Sequence, residues 1–197
     1  MYDLSTKFVL SIAQMHILVE FRSQKIYTIC VWEGGISVSI VKFYRGDPKN
    51  APKTTQKTRL GTNGIITYQG KLLLEKRRDS DTWGLVGGGV KNYESPDQAL
   101  SREIYEELGL RIPKERLHKL AVYGEPGRIA AYCDGSVWRM VIVVYALELE
   151  KEPQIRISAE SRDMRFFSPE ELKDIEIVIT HLDIVEDWFL HQGKEER

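Results

Sequence analysis

Between Gly87 and Leu110 the chain reads GGGVKNYESPDQALSREIYEELGL, three consecutive glycines and then a segment dense in carboxylates. On a helix, Glu106 and Glu107 lie one turn from Glu103. Leu100, Ile104 and Leu108 recur at four-residue steps as a buried stripe, and Glu103 and Glu107 fall beside it, within about 60° on the helical wheel. The ordinary reading of an acidic helix is a solvated face, but such a face belongs opposite the apolar stripe. Carboxylates crowded at the edge of a core repel one another and hold protons too tightly unless a cation neutralises them. An oxygen-rich donor set beside a phosphate suits Mg²⁺ or Mn²⁺, hard ions that bind through a few carboxylates and keep several waters. Gly87, Gly88 and Gly89 carry no side chains, so backbone carbonyls and amides can approach such an ion or a phosphate.

The elements that position these groups are legible nearby. Ser95, Pro96 and Gln98 form a helix start, with a hydroxyl cap, a proline where no amide is needed and an amide side chain able to reach back. Gly109 supplies the left-handed residue that ends the helix. LGTNGIITYQGKLLLEKRR reads as strand, Gln69-Gly70 turn and strand, and VWRMVIVVYALEL and MRFFS as further strands. Ser168, Pro169 and Glu171 predict another capped helix start, and Leu182, Val185, Trp188 and Phe189 give the last segment an apolar face. Strands and helices together imply an α/β protein with a mixed sheet covered by helices.

Five residues separate Gly88 from Glu94 and seven separate Glu94 from Arg102-Glu103-Ile104, after which Glu106-Glu107-Leu108-Gly109-Leu110 completes the array. This pattern resembles a full Nudix box, and the similarity continues in the flanking strands and in FFSPEEL, over about residues 58 to 175. The resemblance implies a Nudix-type α/β/α sandwich that hydrolyses nucleoside diphosphates linked to another moiety, with Mg²⁺ or Mn²⁺ as cofactor. Carried over by position, Glu103, Glu106 and Glu107 would be metal ligands and catalytic residues, one of them serving instead as base through water. Gly87 would offer its carbonyl to the metal and Gly88 would line the substrate site. Glu94 and Arg102 would pair to fix the loop on the helix. A metal-activated water would attack in line, with no covalent nucleophile.

Around this array the readings divide. Arg77 and Arg78 end a strand that leads into the site, and Arg78 is a candidate phosphate clamp, although strand-end arginines are often solvated. Trp83 is a candidate base-stacking residue, with core packing as its alternative. Val86 stands where the family often has proline. Glu160 resembles a late acidic residue that some members use as base, and otherwise reads as surface. His16, His118, His181 and His191 form no metal spacing. Pro126, in YGEPGR, is similar to a marker of enzymes that cleave ADP-ribose, so the substrate expected is ADP-ribose or a nucleoside diphosphate sugar. Alternatives are a Nudix enzyme for oxidised nucleoside triphosphates, dinucleoside polyphosphates or capped RNA, and a non-catalytic sensor of nucleotide derivatives.

The 197 residues, 42% hydrophobic and 29% charged, suffice for one main core. A net charge of -1 argues against recruitment of nucleic acid or membrane by a global field. Cys30 and Cys133 read as free thiols, and with no evident export signal the expected location is cytoplasmic. Apolar residues Phe8, Ile12, Met15 and Leu18 at helical spacing predict an N-terminal helix over residues 4–22. KIYTICVW and ISVSIVKFY around Gly34-Gly35 predict a β-hairpin. RGDPKNAPKTTQKTR reads as a linker, so residues 1–55 form an extension, a candidate homodimer surface, and residues 56–197 the main domain.

Overall fold

The computed structural model describes the backbone of residues 8–11, 14–20, 26–32 and 35–37, and then residues 41–155, 157 and 161–195, with side chains from 41 to 190. Its strands are β1 (Phe8–Ser11), β2 (Gln14–Glu20), β3 (Ile26–Trp32), β4 (Gly35–Ser37), β5 (Val41–Tyr44), β6 (Arg59–Tyr68), β7 (Lys71–Arg77), β8 (Trp83–Gly84), β9 (Val86–Gly89), β10 (His118–Tyr123), β11 (Ile129–Tyr132), β12 (Val137–Glu148) and β13 (Ser161–Phe167). Two helices are α1 (Pro96–Leu108) and α2 (Ile179–Glu195).

β12 is the longest strand, and VIVVY at its centre is apolar at every position, as expected of a strand covered on both faces. It runs parallel to β6, pairing Met140–Glu148 with Arg59–Thr67. Antiparallel strands surround this pair, in the order β13-β7-β6-β12-β11-β5, with β9 on β6, β8 on β7 and β10 on β12. Adjacent residues alternate between the two faces. Ile66, Leu73 and Val143 pack with Leu100, Ile104 and Leu108 of α1. Ile65, Leu72 and Val144 pack with Ile184 and Val185 of α2. The molecule is thus an α/β/α sandwich around a mixed sheet. Complete burial of Leu100, Ile104 and Leu108 seats α1 with about 1.5–3 kcal/mol from each side chain.

Both ends of α1 form as the sequence predicts: Gln98 reaches back to accept the Ser95 N–H at 2.9 Å, and Gly109 caps the end in the left-handed region. At Ser168 the expected reciprocal bonds also form, Glu171 accepting the Ser168 N–H and donating its own N–H to the Ser168 hydroxyl. Yet only a single 3-10 turn, Glu171–Asp174, follows. The next residues are drawn out as an extended bridge, the Trp83 N–H donating to the Glu176 carbonyl and the Val178 N–H to the Trp83 carbonyl.

The described residues of the N-terminal helix expected over 4–22 are not helical. Residues 8–11 and 14–20 are strands, and β2 pairs with β3 from Met15↔Val31 to Glu20↔Ile26. Ile17 and Val19 are β-branched, and a ladder partner of similar composition outweighs a three-and-four apolar spacing that also tolerates alternation. The expected hairpin is present, with Trp32 opposite Gly35. The last residues of the downstream segment form β5, which joins the larger sheet by pairing with β11. That larger sheet therefore reaches upstream of the boundary expected near residue 55. The expected linker is tied down by the Thr55 and Gln56 N–H groups, which donate to the Val137 carbonyl. Cys133 is a free thiol; the Cys30 side chain and Glu160 lie outside the described residues. No helix among the described residues is long and apolar enough to cross a membrane.

Candidate active site

Three elements converge on the acidic face of α1. β9 carries the glycines, pairing Asn63↔Gly87 and Thr62↔Gly88 with β6. Gly87 sits at φ +144°, and a Cβ there would lie 2.1 Å from the Thr62 carbonyl oxygen. Gly88 adjoins the helix so closely that a Cβ would lie 2.4 Å from Oε1 of Glu103. The glycines thus make room for carboxylates, and the backbone N–H of Gly87 donates to Glu107.

Arg102 organises the other side. Its Nε and Nη2 form a bidentate pair with Glu94, at 3.0 and 2.7 Å, and Nη2 also donates to the Gly89 carbonyl. This fork locks the 90–94 loop to α1, and the hydrogen bonds from Arg102 hold the Glu94 carboxyl down to about 2. Nη1 of Arg102 bridges Glu103 and Glu106 at 2.8 and 3.0 Å. Among the described residues no three acidic or imidazole side chains already converge as a ligand set. Arg102 accounts for this by drawing the Glu103 and Glu106 carboxylates to itself.

Glu107 stands apart. It is 8% exposed, and its Oε2 has no hydrogen-bond partner. Burial, then the charges of Glu75 and Glu103, push its carboxyl well above the ordinary range, against the pull of Arg77 and the Gly87 amide. Glu75, on β7, is only 3% exposed. Its Oε1 accepts a hydrogen bond from the Ser161 hydroxyl at 2.6 Å, and its Oε2 is unpartnered. Two orphaned carboxylate oxygens in one buried neighbourhood are what a hard divalent cation would satisfy, so the residues present fit the group that the sequence implied. Glu75 is the residue that sequence reasoning passed over. The available signal was a lone acid interrupting LLLEKR, at the parity of the buried Leu73.

Arg77 is held by Asp79 through two bonds, at 2.8 and 2.6 Å. Arg78 donates from Nε to the Ser161 carbonyl at 2.9 Å, which carries the end of β7 across to β13. Trp83 is not a solvent-facing stacking surface. It is 6% exposed, meets Phe167 edge-on at 4.7 Å, and has Arg165 5.0 Å from its ring centre. Packing takes it because the bridge to Val178 pulls its backbone under α2. The arginine of YGEPGR is likewise structural. Arg128 is fully buried and pairs with Glu125 and Asp183.

His181 of α2 is 6% exposed and its Nδ1 accepts the Leu85 N–H at 3.1 Å, two residues before Gly87. Burial, then the charges of Arg77 and Arg128, push its pKa from 6.5 down to about 3. Below pH 6.5 the unfolded chain gains a proton that the native imidazole refuses, so this group's contribution is complete above that pH and fades as pH falls toward about 3. Metal-free Glu107 acts oppositely: native protonation against an unfolded pKa of 4.5 makes stability fall as pH rises above 4.5. The two effects oppose each other between pH 5 and 6.5. Glu107→Gln should therefore expose the histidine slope in chelator, losing about 2 kcal/mol between pH 6.5 and pH 5 in urea melts, where the parent is flatter. Parallel profiles for the two proteins would overturn this assignment.

The family model described as the NUDIX domain matches residues 57–188. A nucleoside triphosphatase NudI of Escherichia fergusonii is 27% identical over 119 residues, 57% of this chain and 84% of that protein. A MutT-like protein of Streptomyces ambofaciens is 36% identical over 53 residues, and an RNA pyrophosphohydrolase of Hydrogenovibrio crunogenus is 46% identical over 46. These two matches span only 34% and 28% of the relatives' lengths. Among solved structures, the NUDIX domain of Shewanella oneidensis NrtR complexed with ADP ribose superposes with a TM-score of 0.52 at 21% identity, covering 77% of this chain and 93% of that one. A bifunctional NMN adenylyltransferase/ADP ribose pyrophosphatase of Francisella tularensis, complexed with AMP and a manganese ion, gives 0.54 at 18%, covering 73% and 44%. The structural likenesses establish the fold, the family model spans most of the chain, and the chain therefore belongs to the NUDIX hydrolase family.

Proposed function

We propose that this protein hydrolyses the pyrophosphate bond of a nucleoside diphosphate linked to another moiety, using a divalent metal. The observation that carries this reading is the buried, unpartnered Oε2 of Glu107, one turn from Glu103 and against the glycines of β9. Glu103, Glu106, Glu107 and the Gly87 carbonyl would hold the ion, which when bound supplies charge neutralisation for the pyrophosphate and a lowered pKa for water. Glu107, once deprotonated, would offer the ion a buried carboxylate that the Gly87 amide already engages. Glu103 and Glu106, which here share the Arg102 guanidinium, would turn to hold the ion, while Arg102 keeps its pair with Glu94 and so the loop in place. Arg78, at the end of β7, is the phosphate contact we assign from this chain.

The substrate we favour is ADP-ribose or a nucleoside diphosphate sugar, supported by Pro126 and by likeness of fold to an ADP ribose pyrophosphatase and to a domain complexed with ADP ribose. A nucleoside triphosphate is the second reading, favoured by the NudI relative, most of whose length is matched. A panel of ADP-ribose, nucleoside diphosphate sugars, nucleoside triphosphates and capped or triphosphorylated RNA, with Mg²⁺ or Mn²⁺ and products identified, separates them. AMP plus a sugar phosphate from ADP-ribose supports the first; nucleoside monophosphate plus pyrophosphate from triphosphates supports the second. Binding of some member without cleavage of any would turn the reading to a sensor.

A further inference from the structure

Nothing in the box pattern asks for an acid on β7, yet Glu75 is there and nearly fully buried. A buried carboxylate is costly unless both oxygens are satisfied. One is: the Ser161 hydroxyl, itself completely buried, donates to Oε1 at 2.6 Å. The other has no partner in the protein. Leu73 shares Glu75's parity on β7 and packs with Leu100, Ile104 and Leu108, so alternation directs Glu75 to the face that α1 covers. Its charge is felt by Glu107, whose own Oε2 is also unpartnered, and by Arg77. Arg77 lends the pair a favourable charge but hydrogen-bonds to Asp79 at 2.8 and 2.6 Å, so the two orphan oxygens stay unpartnered. A purely structural role needs only Oε1, and an alcohol-to-amide hydrogen bond would serve it without a buried charge.

We propose that Glu75 is a fourth carboxylate of the metal centre, presenting Oε2 from the sheet to the divalent ion that α1 holds from the opposite side, with Ser161 fixing its orientation. This rests on the metal-dependent reading above and adds a ligand that the helix motif does not contain. Two carboxylates on different elements would also link ion binding to the packing of α1 on the sheet, so the loaded protein should resist unfolding more than either element's ligands alone would allow.

The test is Mn²⁺ binding to the full chain, followed by calorimetry and by the loss of the free Mn²⁺ signal in electron paramagnetic resonance, without any substrate. Glu75→Gln keeps shape and still accepts from Ser161, so the fold is retained. The expected result is Mn²⁺ affinity lower by about 10- to 100-fold, or one ion fewer per chain. In chelator the melting temperature of Glu75→Gln should equal or exceed the parent's, because a like charge beside Glu107 is gone, while its rise on adding Mn²⁺ should shrink. Ser161→Ala should give a smaller loss of affinity. Unchanged affinity and stoichiometry in Glu75→Gln overturn the proposal, as does a lowered chelator melting temperature with the Mn²⁺ shift intact, which would mark a structural role. Glu107→Gln serves as reference: if it loses Mn²⁺ and Glu75→Gln does not, only Glu75 is misassigned, whereas retention by both removes the metal centre itself.

Discussion

Glu107→Gln should leave a folded protein whose metal-dependent hydrolysis is lower by about 10³-fold or more. A catalytic metal supplies several kcal/mol of transition-state stabilisation, and each 1.36 kcal/mol is about tenfold in rate. Glu107 is the ligand with least freedom to be replaced, because it is buried, held by the Gly87 amide and unable to swing toward Arg102 as Glu103 and Glu106 do. The isosteric amide preserves the volume of a buried side chain while removing the charge. In chelator the variant should be at least as stable as the parent at pH 8, since the native state no longer confines a carboxyl between Glu75 and Glu103. Steady-state rates on whichever panel member is cleaved, together with chelator melting curves, check both halves. Activity within tenfold of the parent would remove Glu107 from the centre; collapse of the fold would show that its main work is structural.

How much of this was legible in the sequence depends on how local each signal was. α1 could be read because its cap, buried stripe and terminating glycine all lie between Ser95 and Gly109, and one helix decides them. The Glu94–Arg102 pair was implied only by the resemblance to the Nudix box, and the structure forms it across eight residues of loop and helix. The N-terminal segment could not be read this way: Met15, Leu18 and Val19 satisfy a helical spacing, but β3 supplies the ladder that decides the outcome. Trp83, Arg128 and His181 depend on α2, almost a hundred residues downstream of the first of them, which buries one as packing, one as an ion pair and one as a neutral acceptor. Glu75 depends on both Ser161 and α1, so only the assembled sandwich makes its orphaned oxygen visible.

Two adjacent alanine substitutions should separate the fold from the chemistry. Gly87→Ala places a side chain in the left-handed region at φ +144° and drives its Cβ to 2.1 Å from the Thr62 carbonyl oxygen, where backbone meets backbone and neither can rotate away. Strain and overlap together should cost about 3–5 kcal/mol, lowering the melting temperature by roughly 8–15 °C. Gly88→Ala meets instead the tip of a flexible side chain, with Oε1 of Glu103 2.4 Å and its Cδ 2.7 Å from the new Cβ. Glu103 can turn aside at a stability cost of about 1 kcal/mol, but it then leaves the position from which it and Glu107 would share an ion. The expected pattern is a destabilised Gly87→Ala and a folded Gly88→Ala with metal affinity reduced about tenfold or more and hydrolysis reduced accordingly. Calorimetric melting and Mn²⁺ titration on the two proteins decide it. Equal stability losses would mean that β9 tolerates no side chain at either glycine, and full metal affinity in Gly88→Ala would mean that Glu103 reaches the ion from a direction the β9 backbone does not constrain.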